Sequence, residues 1–372
     1  MSERVLITGG GGFIGRHLAR ALLERGAQVR ILDNLNEQVH GHIASAQALD
    51  ADAEMIVGDV RDADIVERAL KGIDKVVHLA AEVGVGQSMY AVERYVSAND
   101  CGTAVLMQSL IDNPVERIVV ASSMSIYGEG LYRDAEGALI EDMPRLARRM
   151  NGSAGWDPVD SQGRPLTPVP TPEWKRPSLA SVYALTKYAQ EQLVMLMAAA
   201  YGMDAVALRL FNVYGSGQSL SNPYTGVLAI FASRLLNRRS PIIFEDGEQR
   251  RDFVHVGDVA RAFVLALEHP NAPGNIYNVG SGEHRSISDV AELLAGAMGV
   301  SGIEPEITGK ARAGDIRHCF ADVTKIRNEL GFVPQANFAD GLMELSRWVA
   351  SQEAQDRVQK AREELEQRGL VA

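Results

Sequence analysis

Arg4-Val5-Leu6-Ile7-Thr8-Gly9-Gly10-Gly11-Gly12-Phe13-Ile14-Gly15 decides how the rest of the chain is read. Val5-Leu6-Ile7 is apolar without alternation, as in a strand covered on both faces. Four glycines follow, and Phe13 then opens an amphipathic stretch that reaches Arg25 and stops at Gly26. A buried strand, a turn without side chains and a helix N-terminus form a site for a pyrophosphate. The backbone can approach closely, and unpaired N–H groups at the positive end of the helix dipole face the anion. Gly9, Gly12, Phe13, Ile14 and Gly15 are the candidate contacts.

Glycine-rich turns are common, so the context has to carry the reading. The next strand, Val29-Arg30-Ile31-Leu32-Asp33, ends on an acid. Asp33, with Asn34 beside it, suits the hydroxyls of an adenosine ribose, and its carboxylate would repel a 2′-phosphate. NAD is therefore expected rather than NADP. Asp59-Val60 follows the third strand, where an adenine edge would lie. Leu79-Ala80-Ala81 follows the fourth, and small residues there leave room for a dinucleotide to cross.

Strands expected at 54–57, 75–79, 117–121 and 205–210 alternate with helical patterns, which points to a Rossmann-type, doubly wound parallel α/β sheet. The reading assigns residues 1–212 and 256–280 to this domain. The stretch 131–178 interrupts its rhythm with Gly, Pro, Asp and Arg and is read as an insertion. Residues 213–255 and 281–350 form a smaller mixed α/β lobe, and 351–372 a charged helical tail expected to be solvated.

Bulk properties narrow the function. Of 372 residues 46% are hydrophobic and 23% charged, an ordinary globular balance. The net charge of −11 gives no footprint for nucleic acid. No apolar run is long enough to span a membrane, and the strand begins too near Met1 for a signal peptide. Two cysteines, Cys101 and Cys319, lack metal-ligand spacing, so no metal is expected and the cytoplasm is the expected compartment.

Tyr183-Ala184-Leu185-Thr186-Lys187 sets a phenol and an ammonium four residues apart, on one helical face. A nearby cation favours tyrosinate, so Lys187 is expected to pull Tyr183 toward the range of a general base. Ser122-Ser123 closes the fifth strand, at the sheet edge where open α/β folds bind ligands.

Together the glycine loop, Asp33, Asp59-Val60, Leu79-Ala80-Ala81, Asn99, the serine pair and Tyr183/Lys187 resemble an extended short-chain dehydrogenase/reductase, from Val5 to about Ala350. The resemblance implies that Tyr183 is the acid/base, that Lys187 holds the nicotinamide ribose and that Ser123 bonds the reacting sugar hydroxyl. Asn99 would support the framework beside the cofactor. Arg209–Gly215, which contains Asn212, and Asp246–Val256 are similar to segments of nucleotide-sugar epimerases and dehydratases, as is Arg312-Ala313-Gly314-Asp315. In that likeness Asn212, Arg251, His255, Arg312 and Asp315 bind substrate, the arginines because a planar fork matches phosphate oxygens. Homodimers are implied too, paired through helices near Asn99–Asp112 and Val182–Tyr201.

Dehydratases of this family carry an Asp-Glu pair after the catalytic Ser or Thr, and uronate decarboxylases a Glu at the second of those positions. This chain has Met124 and Ser125. What remains is 4-epimerisation, or a simple oxidation or reduction. Gln218–Val227 and Val83–Tyr90 look closest to bacterial dTDP-L-rhamnose 4-epimerases, which make dTDP-6-deoxy-L-talose. UDP-hexose 4-epimerases and NAD(P)H-dependent 4-keto-sugar reductases are the alternatives, and a binding protein that has lost catalysis is disfavoured because Tyr183 and Lys187 both stand.

Overall fold

The strand expected at residues 4–8 lies inside a seven-stranded parallel sheet in the computed structural model, which describes residues 2–40, 52–141, 155–224, 226–352, 356 and 358–371. The strands are β1 (Arg4–Thr8), β2 (Gln28–Asp33), β3 (Glu54–Val57), β4 (Lys75–His78), β5 (Arg117–Ser123), β6 (Asp204–Leu210) and β7 (Asn275–Val279). Their order is β7-β6-β5-β4-β1-β2-β3, every neighbouring pair parallel. The winding reverses between β1 and β4, which opens a crevice at the C-terminal ends of these strands.

Residues of one strand alternate between the two faces, so each face has its own core. Helices α1 (Phe13–Glu24), α2 (Ala63–Leu70), α3 (Gly102–Asp112) and α4 (Val182–Tyr201) flank the sheet, with α5 (Val227–Leu236) in the smaller lobe and α6 (Val256–Glu268) back on the sheet. Val5 and Ile7 face the core under α1 and α6, with Leu18, Val119 and Phe263. Leu6 faces the other way, with Val66, Leu106 and Val194 from α2, α3 and α4. The lobe packs α5, α7 (Ile287–Ala297) and α8 (Phe338–Ala350) around Leu228, Phe231, Leu294 and Leu345.

The insertion has secondary structure of its own, and one expectation, for the tail, changes. Residues 131–133, 139–140 and 167–169 form a three-stranded antiparallel sheet. Gly130 N donates to His318 O at 2.8 Å and Thr171 N to Phe320 O at 2.8 Å, tying it to the lobe. Part of that insertion, 142–154, lies outside the described residues. The tail, expected in solvent, instead docks. Its helix α9 (Val358–Gln367) buries Ala361 and Leu365, an i, i+4 apolar pair that makes one face of a charged helix adhesive. Among the described residues no helix is long and apolar enough to cross a membrane.

Candidate active site

The glycine loop is shaped by close approach. Gly9 has φ +69°, and a Cβ there would stand 2.7 Å from Ala80 N. A Cβ on Gly15 would stand 2.5 Å from Gly10 Cα, so α1 can begin against the loop only with glycine at both places. The first turn of α1 has neither a capping side chain nor an acidic residue, which leaves its N-terminal donors directed at the crevice. Asp33 Oδ2 accepts from Gly11 N at 2.9 Å, and Oδ1 accepts from Leu35 N at 2.8 Å. His40 Nε2 lies 3.3 Å from the same Oδ1. Asn34 Nδ2 donates to Asp59 Oδ2 at 3.1 Å. Arg61 clamps Asp59 from the other side, and its hydrogen bonds hold that carboxyl well below the usual range.

Gly9, Gly12, Phe13, Ile14, Gly15, Asp33, Asn34, Asp59, Val60 and Leu79-Ala80-Ala81 all line one cavity of about 1420 Å³. An uncapped helix start, glycines whose Cβ atoms would fill the cradle and a carboxylate at the end of β2 fit NAD. Asn99, expected to support the framework beside the cofactor, does not itself line this cavity. It is fully buried on a π-helical turn, Val96–Cys101. There it receives Glu82 N at 2.7 Å and donates to Thr186 Oγ1 at 2.9 Å, so it braces the start of α4 against the β4 loop.

Ser123, Tyr183 and Lys187 reach the same cavity from β5 and α4. The serine pair divides. Ser122 Oγ donates inward to Glu191 Oε2 at 2.6 Å, and Glu191 pairs with Arg209 at 2.7 Å. Ser123 Oγ caps the turn that follows, accepting from Ser125 N at 3.2 Å and donating to Ser125 Oγ at 3.2 Å. Ser181 caps α4 by accepting from Ala184 N, and Ser88 Oγ accepts from Tyr183 N at 3.0 Å, which fixes the tyrosine.

The expected influence of Lys187 on Tyr183 is not what the geometry gives. Burial holds the phenol above its ordinary value, and the nearby Ser123 hydroxyl opposes it. The Lys187 ammonium instead donates to Gln190 Oε1 at 2.8 Å, and burial brings it down to about 7 against the pull of Glu191. Gln190 follows Lys187 by three residues on the same helical face. Its amide reaches back to Thr103 Oγ1 at 2.8 Å, and the buried His78 stands between Thr8 and Thr103.

The far end of the cavity takes residues from the lobe. Asn212, Arg251, Arg312 and Asp315 all line it. The Asn212 Oδ1 is buried with no hydrogen-bond partner among the described residues. Arg251 is anchored by Arg250 O at 2.9 Å and Arg317 O at 2.8 Å, and also donates to Ile316 O. Arg312 donates to Asp315 Oδ2 at 2.8 Å and lies 4.4 Å over the Phe244 ring. His255, expected to touch substrate, does not line the cavity. It caps α6, accepting from Gly257 N at 3.2 Å, and lies 3.4 Å from Glu344. Among the described residues no group of three or more His, Cys, Asp or Glu side chains converges as a metal site would.

A dinucleotide cradle, a tyrosine–lysine–serine group and an arginine-lined extension define an NAD-dependent enzyme whose second ligand is anionic. The chain belongs to the NAD dependent epimerase/dehydratase family, which matches residues 5–145 and 163–280. It is 36% identical over 355 residues to a dTDP-L-rhamnose 4-epimerase of Burkholderia thailandensis, covering 94% of this chain and 96% of that one. The UDP-glucose 4-epimerase of Thermotoga maritima, solved with UDP-glucose, has 29% identity and a TM-score of 0.75 over 93% of this chain and 98% of its own. That of Thermus thermophilus, solved with NAD, has 30% identity and a TM-score of 0.72 over 94% of this chain and 100% of its own.

Proposed function

We propose that the protein epimerises a nucleotide-activated sugar at C4, converting dTDP-L-rhamnose to dTDP-6-deoxy-L-talose. The observation that carries the reaction type is the pair beside Ser123. Met124 and Ser125 both face the cavity, and neither supplies the carboxylate that elimination of water requires. Glu129, the next acid along the chain, is buried and accepts from Arg317 N at 2.7 Å and Tyr132 OH at 2.7 Å, occupied with structure. The Burkholderia relative, similar over nearly its whole length, supports the choice of sugar.

In this reading Ser123 holds the C4 hydroxyl against the Tyr183 oxygen, which removes its proton. NAD supplies the acceptor and returning donor of the C4 hydride. Lys187 holds the nicotinamide ribose. The 4-keto sugar turns over, anchored by Arg251 and Arg312 at its diphosphate, and Tyr183 returns the proton to the new alcohol. Asn212 Oδ1 finds its missing donor in the substrate. A panel of dTDP-, UDP-, GDP- and CDP-sugars, with products separated by chromatography, tests the assignment. Turnover of dTDP-L-rhamnose is expected, exclusive turnover of UDP-hexoses would reassign the substrate, and stoichiometric loss of reduced cofactor would make the protein a reductase.

The homodimer belongs to the same proposal. Leu185 and Leu196 on α4 are 49% and 68% exposed, an apolar face on a long helix with Cys101 exposed near the start of α3. Light scattering at micromolar concentration should give twice the chain mass, and a monomer would remove this part.

A further inference from the structure

Helix α9 and the residues after it belong to no part of the site described so far, yet they form one of its walls. Val358, Ala361, Arg362 and Leu365 line the same cavity as Tyr183 and Arg312. The helix is held from both lobes. On the sheet side, Leu365 packs over Gly86, where even an added Cβ would be 3.5 Å from its methyl carbon. Gly86 is two residues from Ser88, whose hydroxyl positions the Tyr183 backbone, so this is the reaction end. On the lobe side, Arg362 pairs with Glu306 at 2.9 Å, and Glu366 pairs with Lys310 at 3.0 Å. The chain end continues onto the Arg312 loop, where Ala313 N donates to Leu370 O at 2.9 Å.

One knot joins the two sides. The hydroxyls of Tyr90 from the sheet domain and Tyr224 from the lobe lie 2.6 Å apart and each 3.1 Å from Glu364 Oε2, so one donates to the other and the second to the carboxylate. Arg368 covers Tyr90, its guanidinium 4.4 Å from the ring centroid. Docking buries Ala361 and Leu365, and both also line a cavity bordered by the reacting group at one end and by an anion-seeking arginine at the other.

We propose that residues 358–371 are a substrate-binding element, a strap that crosses from lobe to lobe and contacts a nucleoside diphosphate sugar through Leu365 and Arg362. This rests on the nucleotide-sugar reading above and adds a binding surface to it. Two consequences follow from the geometry. Ligand in the cavity fills the space beneath Leu365, so binding and strap docking stabilise each other. Because the strap also seats the Arg312 loop, loosening it weakens ground-state binding more than the chemical step.

The test uses the full-length protein with NAD. Hydrogen–deuterium exchange is followed with and without dTDP, and separately UDP, as the added nucleotide. Amides of 358–367 should exchange at least about fivefold more slowly with the nucleotide that binds, together with those of 312–315. Protection of 312–315 without 358–367 would overturn the strap while leaving the site reading intact. Protection of neither segment by either nucleotide would overturn both. Leu365→Asn should raise KM for the nucleotide sugar about tenfold, the loss of one apolar contact, with kcat within about threefold. Leu365→Met should restore KM, and NAD affinity should be unchanged in both variants, which a folding defect would not allow. An unchanged KM in Leu365→Asn would contradict direct contact.

Discussion

The two ends of the cavity are built in opposite ways. The cofactor end is local. The Gly9–Gly15 turn, the carboxylate that fastens it at Asp33 and the small residues of Leu79-Ala80-Ala81 each sit at the end of one strand, and the parallel sheet brings those ends together. The end proposed for the sugar nucleotide is lined by Asn212, Arg251, Arg312 and α9, on separate segments of which none is complete alone. A sheet edge converts strand order into a site directly. A wall made of loops and a docked terminus carries no comparable periodicity, so its residues must be found by contact.

The largest expected effect tests the point where both ends meet. Tyr183→Phe removes only an oxygen and should lower kcat by about 10³-fold or more, with NAD binding and the thermal transition preserved. Near-normal turnover by that variant would remove the phenol from the chemistry.

Ser123→Ala should cost on the order of 10²-fold in kcat, and it also makes a sharper claim about pH. The Ser123 hydroxyl lowers the Tyr183 pKa against burial, so its loss raises that pKa. The tyrosinate then forms at higher pH, and the rising limb of the kcat profile should move to the alkaline side. A limb that stays in place, or moves toward acid, would mean that Ser123 does not act on the phenol.

Asp33→Ala probes the cofactor end alone. It should weaken NAD about tenfold and narrow the preference over NADP, while KM for the sugar nucleotide holds. Fluorescence titration of both cofactors reads this, and a wild-type protein that binds NADP as tightly as NAD would refute the assignment of Asp33.

The smallest effect concerns the polar buttress behind Lys187. His78 is fully buried and burial brings its pKa down to about 3. Between that value and its ordinary 6.5 the unfolded chain takes up a proton that the folded protein refuses. Stability from this group is therefore lost as pH falls through that window. Asp252, raised to about 6 by burial, acts in the opposite sense over part of the range. Comparison with His78→Gln isolates the histidine. The stability gap between wild type and variant should shrink by about 1–2 kcal/mol from pH 7 to pH 5 in urea titrations.

The same contrast explains what could be read before any coordinates. The sheet, the glycine turn, Asp33 and the Tyr183/Lys187 pair follow from strand and helix periods acting over a few residues. Asn99 and His255 lie near the site in sequence motifs but act behind it, one bracing α4 and the other capping α6. A motif fixes a residue's address and not the direction its side chain faces. Gln190 sits three residues after Lys187, on the helical spacing that lets it meet the ammonium, so its signal was present but unspecific. The docking of α9 had one trace, the pair Ala361 and Leu365 amid charge, and nothing local to say which surface would receive it.

Transfer of one hydrogen within the cavity, without exchange with solvent, is the centre of the account. It is tested most directly by turnover of dTDP-L-rhamnose in D₂O, with product mass and NMR couplings recorded together. An inverted C4 and no deuterium on carbon are predicted, because Tyr183 handles only the hydroxyl proton while the C4 hydride leaves and returns. Deuterium at C5, or a product lighter by one water, would contradict the account and require an acid and a base that Met124 and Ser125 cannot provide.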